Sequence, residues 1–323
     1  MLHLAIYHGN CTDGFAAFSI YHKWAMTKGW TVVGYPVAPQ DARTWPAIPS
    51  TEFTVAFLDV VPDGTALLLW EKAASHTTII DHHASSSEAF LSDPVVGNFP
   101  QKKGQVIHFS IESCAAILAH TQYYPLEPVP DWLRHVDRVD RWTDVTPHDL
   151  ALRESLHAIA KIPVSHPGPE GTARALALLD TFIRLYSASG PDALDLIAES
   201  ERLLAAKKTK LDALLSNPRR TSRIKVGPDY CEETWCPPSW CGQVIFSIDT
   251  TGVYGFDSTL ASHLVFTKCP EVTVFINYNQ FADRNYKYCV RSRGFDVTQG
   301  DLFRGHPCAA GGVLKGPSSP FLV

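Results

Sequence analysis

The chain has 323 residues, 45% of them hydrophobic, which is enough to bury a substantial core and to divide into two domains, and which excludes a disordered chain. Its 28 lysines and arginines against 33 acids leave a net charge of −5. That balance argues against a protein that coats long duplex DNA, because neutralising many phosphates needs a broad basic excess; a small phosphorylated substrate or a short single strand stays open.

The first eighty residues alternate between strand-like and helix-like periods. Leu2 to Tyr7 and Phe53 to Leu58 read as buried strands, followed by helical segments over Phe15 to Trp30 and Gly64 to Ala74, and Thr77 to Ile80 reads as a further strand. Such alternation predicts an α/β fold with a mainly parallel sheet and helices on both faces. Residues 110 to 142 read as helical in two pieces, interrupted at Tyr124-Pro125-Leu126-Glu127-Pro128. The second piece, Trp132 to Trp142, has the spacing of an amphipathic helix with a salt-bridged polar face. Pro163 to Pro169 is a loop, and a long helix follows with apolar positions at Leu194, Ile197, Leu204, Leu211 and Leu215, ended by Asn217-Pro218.

Beyond about residue 220 the pattern changes to short strands, Gln243 to Ile248, Val272 to Tyr278 and Tyr286 to Ser292, with a helix over Ser258 to Phe266 and a Gly-rich tail. The expected division is a larger α/β domain over 1–190, a linker helix over 191–220 and a smaller α/β domain over 221–323. No apolar run approaches the ~20 residues a membrane-spanning helix needs. The start, Met1-Leu2-His3-Leu4-Ala5-Ile6-Tyr7, lacks a basic leader and cleavage site, so no membrane association and a cytoplasmic location are expected. Eight cysteines are expected as free thiols. Cys231, Cys236 and Cys241 run Cys-x4-Cys-x4-Cys, wider than the Cys-x2-Cys pair of usual zinc sites, and read as packed thiols under a loop.

In a parallel sheet the residues just past the strand ends face one crevice, where ligands bind. Three polar groups fall there: His8 to Asp13, Asp59, and Asp81-His82-His83. A lone carboxylate leaving the apolar strand before Asp59 is costly unless paired or metal-bound. Asp13 has a rival reading as an ordinary cap of the helix it starts. Mixed carboxylate and imidazole donors suit manganese, magnesium, iron or zinc. The ligand clusters are more than one ion needs, and two ions about 3.5–4 Å apart would suit hydrolysis of a phosphate ester.

Asp81-His82-His83, preceded by His8-x4-Asp13-Gly14 and Asp59, resembles the DHH phosphoesterase superfamily. The segment Val290-Arg291-Ser292-Arg293-Gly294, followed by Gly305-His306-Pro307-Cys308-Ala309-Ala310-Gly311-Gly312, is similar to that family's substrate-binding DHHA1 domain. The resemblance implies two Mn2+ ions, with Mg2+ or another divalent ion open, and a C-terminal domain that closes over the substrate. It implies His8 and Asp13 in the first metal motif, Asp59 bridging the ions and His82 ligating one. Asp81 would ligate or orient a ligand, and His83 would face the scissile phosphate. For the fourth motif Asp137 is favoured, with Asp140 as the alternative. Where many family members have Asp-x-Asp, this chain has Cys11-Thr12-Asp13; either Asn10 supplies a neutral oxygen or Cys11 packs inward. Substrate binding falls to Asn10, Arg291, Ser292, Gly305, His306, Gly311 and Gly312, with Arg291 able to fork onto a phosphate and the glycines allowing close backbone approach.

The resulting expectation is a metal-dependent phosphodiesterase that hydrolyses short oligonucleotides or dinucleotides to mononucleotides. The alternatives are a nucleotide phosphatase or pyrophosphatase, and a catalytically weak nucleotide-binding regulator. A homodimer is left open.

Overall fold

The computed structural model describes residues 1–9, 11–37, 45–62, 64–83, 105–160, 173, 176–177, 180, 191–227, 238–253, 256–280, 285–297, 303–306 and 309–315. The expected loop at Pro163 to Pro169, together with Asn10, Cys231 and Cys236, lies outside them. The chain divides into two compact units, residues 1–201 and 202–323.

The first unit is built on a five-stranded, all-parallel sheet: β1 (Leu2–His8), β2 (Val32–Val37), β3 (Phe53–Leu58), β4 (His76–Asp81) and β5 (Val106–Phe109), in the order β2-β1-β3-β4-β5. Its helices are α1 (Thr12–Thr27), α2 (Gly64–Ala73), α3 (Ala115–Tyr123), α4 (Asp131–Arg141) and α5 (Pro147–Ala160). Strand alternation sends Leu4, Ile6, Val55 and Phe57 toward Leu67 and Trp70 of α2. It sends Ala5, Tyr7, Ala56 and Leu58 toward Phe15, Phe18, Ala115 and Leu118 of α1 and α3. Both faces are thus covered, which is why these strands read as continuous apolar runs. After β1 the chain crosses to β2 on one side, then returns to place β3 on the other. The switch point between β1 and β3 is where an open α/β sheet opens its ligand crevice.

Sequence reading missed β2 and β5. Val32-Val33-Gly34-Tyr35-Pro36-Val37 carries a glycine and a proline, which read as breakers, yet β2 is an edge strand, where proline is tolerated. β5 is the opposite edge and only four residues long.

Helix α6 (Pro191–Leu215) spans the boundary between the units. Of its expected apolar stripe, Leu204 and Leu211 are buried and Leu215 is half-buried, while the side chains of Leu194 and Ile197 lie outside the described residues. The second unit is a six-stranded sheet of β6 (Thr221–Lys225), β7 (Val244–Asp249), β8 (Val274–Gln280), β9 (Asn285–Ser292), β10 (Arg304–His306) and β11 (Ala309–Lys315). The order is β10-β11-β9-β8-β7-β6, with β7 and β8 parallel and every other pair antiparallel. The parallel pair is joined through α7 (Ser258–Lys268). Ile245, Ile276, Tyr288 and Val290 pack with Trp240 and Phe303 on one face, and α7 lies against β8 and β9. The Gly-rich tail, for which no strand was expected, supplies β10 and β11. Cys241, expected as a packed thiol, is exposed.

Candidate functional site

Each strand at the switch point ends in a polar residue. His8 is the last residue of β1, Asp59 follows β3, and Asp81 closes β4 before His82 and His83. Asp59 is held at φ 60, a left-handed conformation uncommon outside glycine, asparagine and aspartate, while its amide donates to Ile80 O at 2.9 Å. Such geometry concentrates at functional turns. Asp13 stands in the first turn of α1. The next residue, Gly14, lets that helix pass against His8: a Cβ there would meet His8 O at 2.6 Å and His8 N at 2.9 Å.

Asp59 sits at the centre. One oxygen is 3.2 Å from His8 Nδ1; the other is 3.2 Å from His82 Nε2 and 3.7 Å from His83 Nδ1. His82 Nε2 is also 3.3 Å from Asp13 Oδ2 and 3.3 Å from Asp140 Oδ2. Among the described residues, two sets of donor atoms lie within 4.8 Å of one another, His8 with Asp59 and His83, and Asp13 with Asp59 and His82. Asp59 belongs to both.

The other expected acids face elsewhere. Asp81, fully buried, accepts on Oδ1 from His83 Nδ1 at 2.7 Å and from the His82 amide at 2.8 Å, so it orients the two histidines. Its Oδ2 is buried with no hydrogen-bond partner among the described residues. Asp137, the favoured fourth-motif residue, accepts the Cys114 amide at 2.7 Å and a forked pair from Arg141 at 2.8 and 2.6 Å. The helical turn leaves Asp137 on the side of α4 that meets the start of α3. Asp140 is the acid that reaches His82. Cys11 Sγ lies 4.0 Å from Asp140 Oδ1, so the thiol points to the acid cluster and does not pack away from it. Asp13 does cap a helix, though not its own: its two oxygens accept the Ala115 and Ala116 amides at 2.8 Å each, at the start of α3.

Buried carboxylates this close repel one another. Burial, with the charges of Asp59 and Asp140, pushes Asp13 well above the usual carboxylate range, and burial raises Asp140 too. Burial works in the same direction on Asp59, but hydrogen bonds from His8 and His82 pull it well below that range. For His82 burial favours the neutral ring, and the hydrogen bond to Asp59 with the charges of Asp140 and Asp13 overrides it, raising His82 to about 10. His83 is raised to about 9 against burial by Asp81. The site is arranged to stabilise positive charge, and its oxygen and imidazole donors fit a divalent cation of the manganese, magnesium, iron or zinc type.

In the second unit, strand register puts His306, Ala309, Arg291 and Phe275 in one row across β10, β11, β9 and β8. Arg304, Gly311, Cys289 and Asn277 form the next row on the same face. Gly305 pairs with Ala310 and Gly312 with Tyr288, which sets them on the other face. Arg291 Nη2 approaches Thr259 Oγ1 of α7 at 3.5 Å. Ser292 is buried and its hydroxyl donates to Phe295 O, so it secures the following turn and is not presented to a ligand. Two polar atoms of this unit escaped sequence reading: Asn277 Oδ1, in the row next to Arg291, and Ser258 Oγ at the start of α7 are buried with no hydrogen-bond partner among the described residues. A polar Asn277 amid the apolar residues of β8 was the available signal.

No protein-family model matches the chain, and no curated protein matches it. Among solved structures, it is similar to an exopolyphosphatase-related protein from Bacteroides fragilis, at 12% identity over 98% of this chain and 88% of that one, with a TM-score of 0.45. It is similar to RecJ in complex with Mn2+ from Thermus thermophilus, at 16% identity over 97% of this chain, with a TM-score of 0.48; it spans about half of the RecJ chain, 49%. A third similar structure is CDC45 from Entamoeba histolytica, at 11% identity over 90% of this chain and 84% of that one, with a TM-score of 0.40. By its motifs in order, His8-x4-Asp13-Gly14, Asp59, Asp81-His82-His83 and Gly305 to Gly312, the chain resembles the DHH phosphoesterase superfamily.

Proposed function

We propose that this protein is a divalent-metal-dependent phosphoesterase, with manganese the favoured ion, that hydrolyses dinucleotides or short oligonucleotides to mononucleotides. The observation that carries the reading is Asp59, one carboxylate shared by two donor sets at the switch point of a parallel sheet. Its two oxygens reach His8 on one side and His82 on the other, which supports a ligand role shared between the two donor sets. Asp13, His82 and Asp140 would hold one ion, and His8 with Asp59 the other. Two divalent ions held there supply Lewis acidity, easing deprotonation of water and neutralising charge on a phosphoryl group.

His83 would be the phosphate-facing group. Its Nδ1 is committed to Asp81 at 2.7 Å and lies farther, 3.7 Å, from Asp59. With Nδ1–H held by Asp81, the ring is oriented by a fixed anion, and at about 9 it is cationic at neutral pH. It would bind a phosphate oxygen or give its proton to the departing one.

Charge distribution supports an anionic substrate held by the second unit. Residues 202–323 carry 15 lysines and arginines against 10 acids, whereas residues 1–201 carry 13 against 23. Arg291, with Asn277 and Gly311 in the adjacent row, would recognise a phosphate or a nucleoside edge. A rival reading, a nucleotide binder with little turnover, draws on Cys11 standing beside Asp140 in place of an acid.

The test is to incubate the full chain and Mn2+ with a dinucleotide, a nucleoside monophosphate and inorganic polyphosphate. Release of mononucleotide, abolished by His82→Ala, is the expected result. Release of inorganic phosphate alone would make it a phosphatase or pyrophosphatase, and tight binding without turnover would make it a regulator.

A further inference from the structure

We infer that Asp149 is a positioning residue for this site, holding α4 so that Asp140 meets His82. The inference rests on reading Asp140 as a ligand of the proposed metal centre. Thr146-Pro147-His148-Asp149 begins α5 as a capping box: Thr146 Oγ1 accepts the Asp149 amide at 3.2 Å, and Asp149 Oδ2 accepts the Thr146 amide at 2.8 Å. A cap needs no more than that. This carboxylate, fully buried, also reaches across to α4, where it accepts Arg138 Nε at 3.1 Å, Arg138 Nη2 at 2.7 Å and His135 Nδ1. Hydrogen bonds from Arg138, His135 and Thr146 outweigh burial and hold Asp149 well below the usual carboxylate range, so the clamp is ionic at any physiological pH.

Arg138 lies two residues before Asp140, and the turn that follows carries two left-handed non-glycine residues, Trp142 at φ 58 and Asp144 at φ 50. Asp140 stands in the last turn of α4, where the helix dipole disfavours an anion, so a helix end left to itself would fray or turn that carboxylate outward. On another face of the same helix Asp137 accepts the amide of Cys114, the residue just before α3. The helix is thereby held by two contacts, at Asp137 and Arg138, within one turn before Asp140.

The test compares wild type, Asp140→Asn, Asp149→Asn and the double variant as full chains. Mn2+ affinity is read by calorimetry and by the electron paramagnetic resonance of bound Mn2+, with urea midpoints measured without metal. Each single variant is expected to weaken Mn2+ binding about tenfold. The double variant should bind no more weakly than Asp140→Asn alone, because Asp149 acts through Asp140. A purely structural Asp149 would lower the urea midpoint and leave Mn2+ affinity alone. Wild-type affinity in Asp149→Asn, or full additivity in the double variant, would overturn the inference while leaving the metal centre standing. A wild-type chain that binds no Mn2+ would overturn the metal centre itself. If Asp149→Asn does not fold, Arg138→Gln, which keeps the cap, replaces it with the same expected non-additivity.

Discussion

Replacing Asp59 by asparagine separates the two things this carboxylate does. Asparagine has nearly the same size and accepts the left-handed backbone at φ 60, so the turn survives and only the charge goes. Without metal, two effects oppose. His8 and His82, each 3.2 Å away, lose an anionic partner, and part of the lift that takes His82 to about 10 is lost. That lift is shared with Asp140 and Asp13, so at about 1.4 kcal/mol per pH unit the loss due to Asp59 is on the order of 1–2 kcal/mol. Against it, Asp13 and Asp140, both raised in part by the charge of Asp59, are relieved of repulsion. The net change in metal-free stability should stay within about 1 kcal/mol near neutral pH. Mn2+ binding has no such compensation, since both donor sets lose their shared anion; affinity should fall at least about 100-fold, ~2.7 kcal/mol, with activity lost at working metal concentrations. Urea unfolding of the metal-free chain and Mn2+ calorimetry read the two quantities separately. A variant destabilised by several kcal/mol that still binds two Mn2+ ions with wild-type affinity would show Asp59 to be a structural residue and refute the bridging reading.

Proton competition should govern metal binding as well. His82, at about 10, must lose its proton to ligate, so apparent Mn2+ affinity should rise with pH, about tenfold per unit between pH 6 and 8 for one released proton, measured by calorimetry in buffers of different ionisation enthalpy; a flat profile would remove His82 from the ligand set. Gly14→Ala gains helix propensity but drives a methyl group into the His8 backbone, a contact of 2.6 Å that something must relieve. A net loss of about 1–3 kcal/mol is expected together with weaker Mn2+ binding as His8 is displaced from Asp59, and an equally stable, fully metal-competent variant would contradict the packing argument.

The parallel sheet was legible because its central strands are buried on both faces: Phe53 to Leu58 can hardly be anything but a strand covered twice. His8, Asp59 and Asp81 were legible for a related reason, since a polar residue ending such a run must be satisfied at the strand edge. What sequence could not resolve was orientation around a helix. Asp137 and Asp140 are three residues apart, and which one meets His82 depends on Arg141 forking onto Asp137 and on the Cys114 amide sharing its Oδ1, a contact 23 residues away in sequence. Asp13 shows the same limit. As a residue at a helix start it reads as a cap, and only the tertiary packing of α1 against α3 reveals that the amides it caps are those of Ala115 and Ala116. In the second unit the glycines masked two strands, because a Gly-rich stretch carries no alternating pattern even when antiparallel partners pair it.

The acids around this site sort by who already neutralises them. Asp149 accepts from a guanidinium, an imidazole and a cap, Asp137 accepts a fork and an amide, and Asp81 Oδ1 accepts an imidazole and a backbone amide. Their charge is answered by groups that belong to the chain, so a cation would have to break good hydrogen bonds to recruit Asp149 or Asp137. Asp59 and Asp140 face imidazoles, partners that can give up a proton and leave the carboxylate to a metal. Asp13 stands between the classes, with both oxygens on helix amides and one of them also 3.3 Å from His82. An oxygen has a second lone pair, and an amide donor does not discharge it. Asp13 can therefore keep its helix contact and still offer a ligand, which rigidly fixes one donor of the set before any ion arrives.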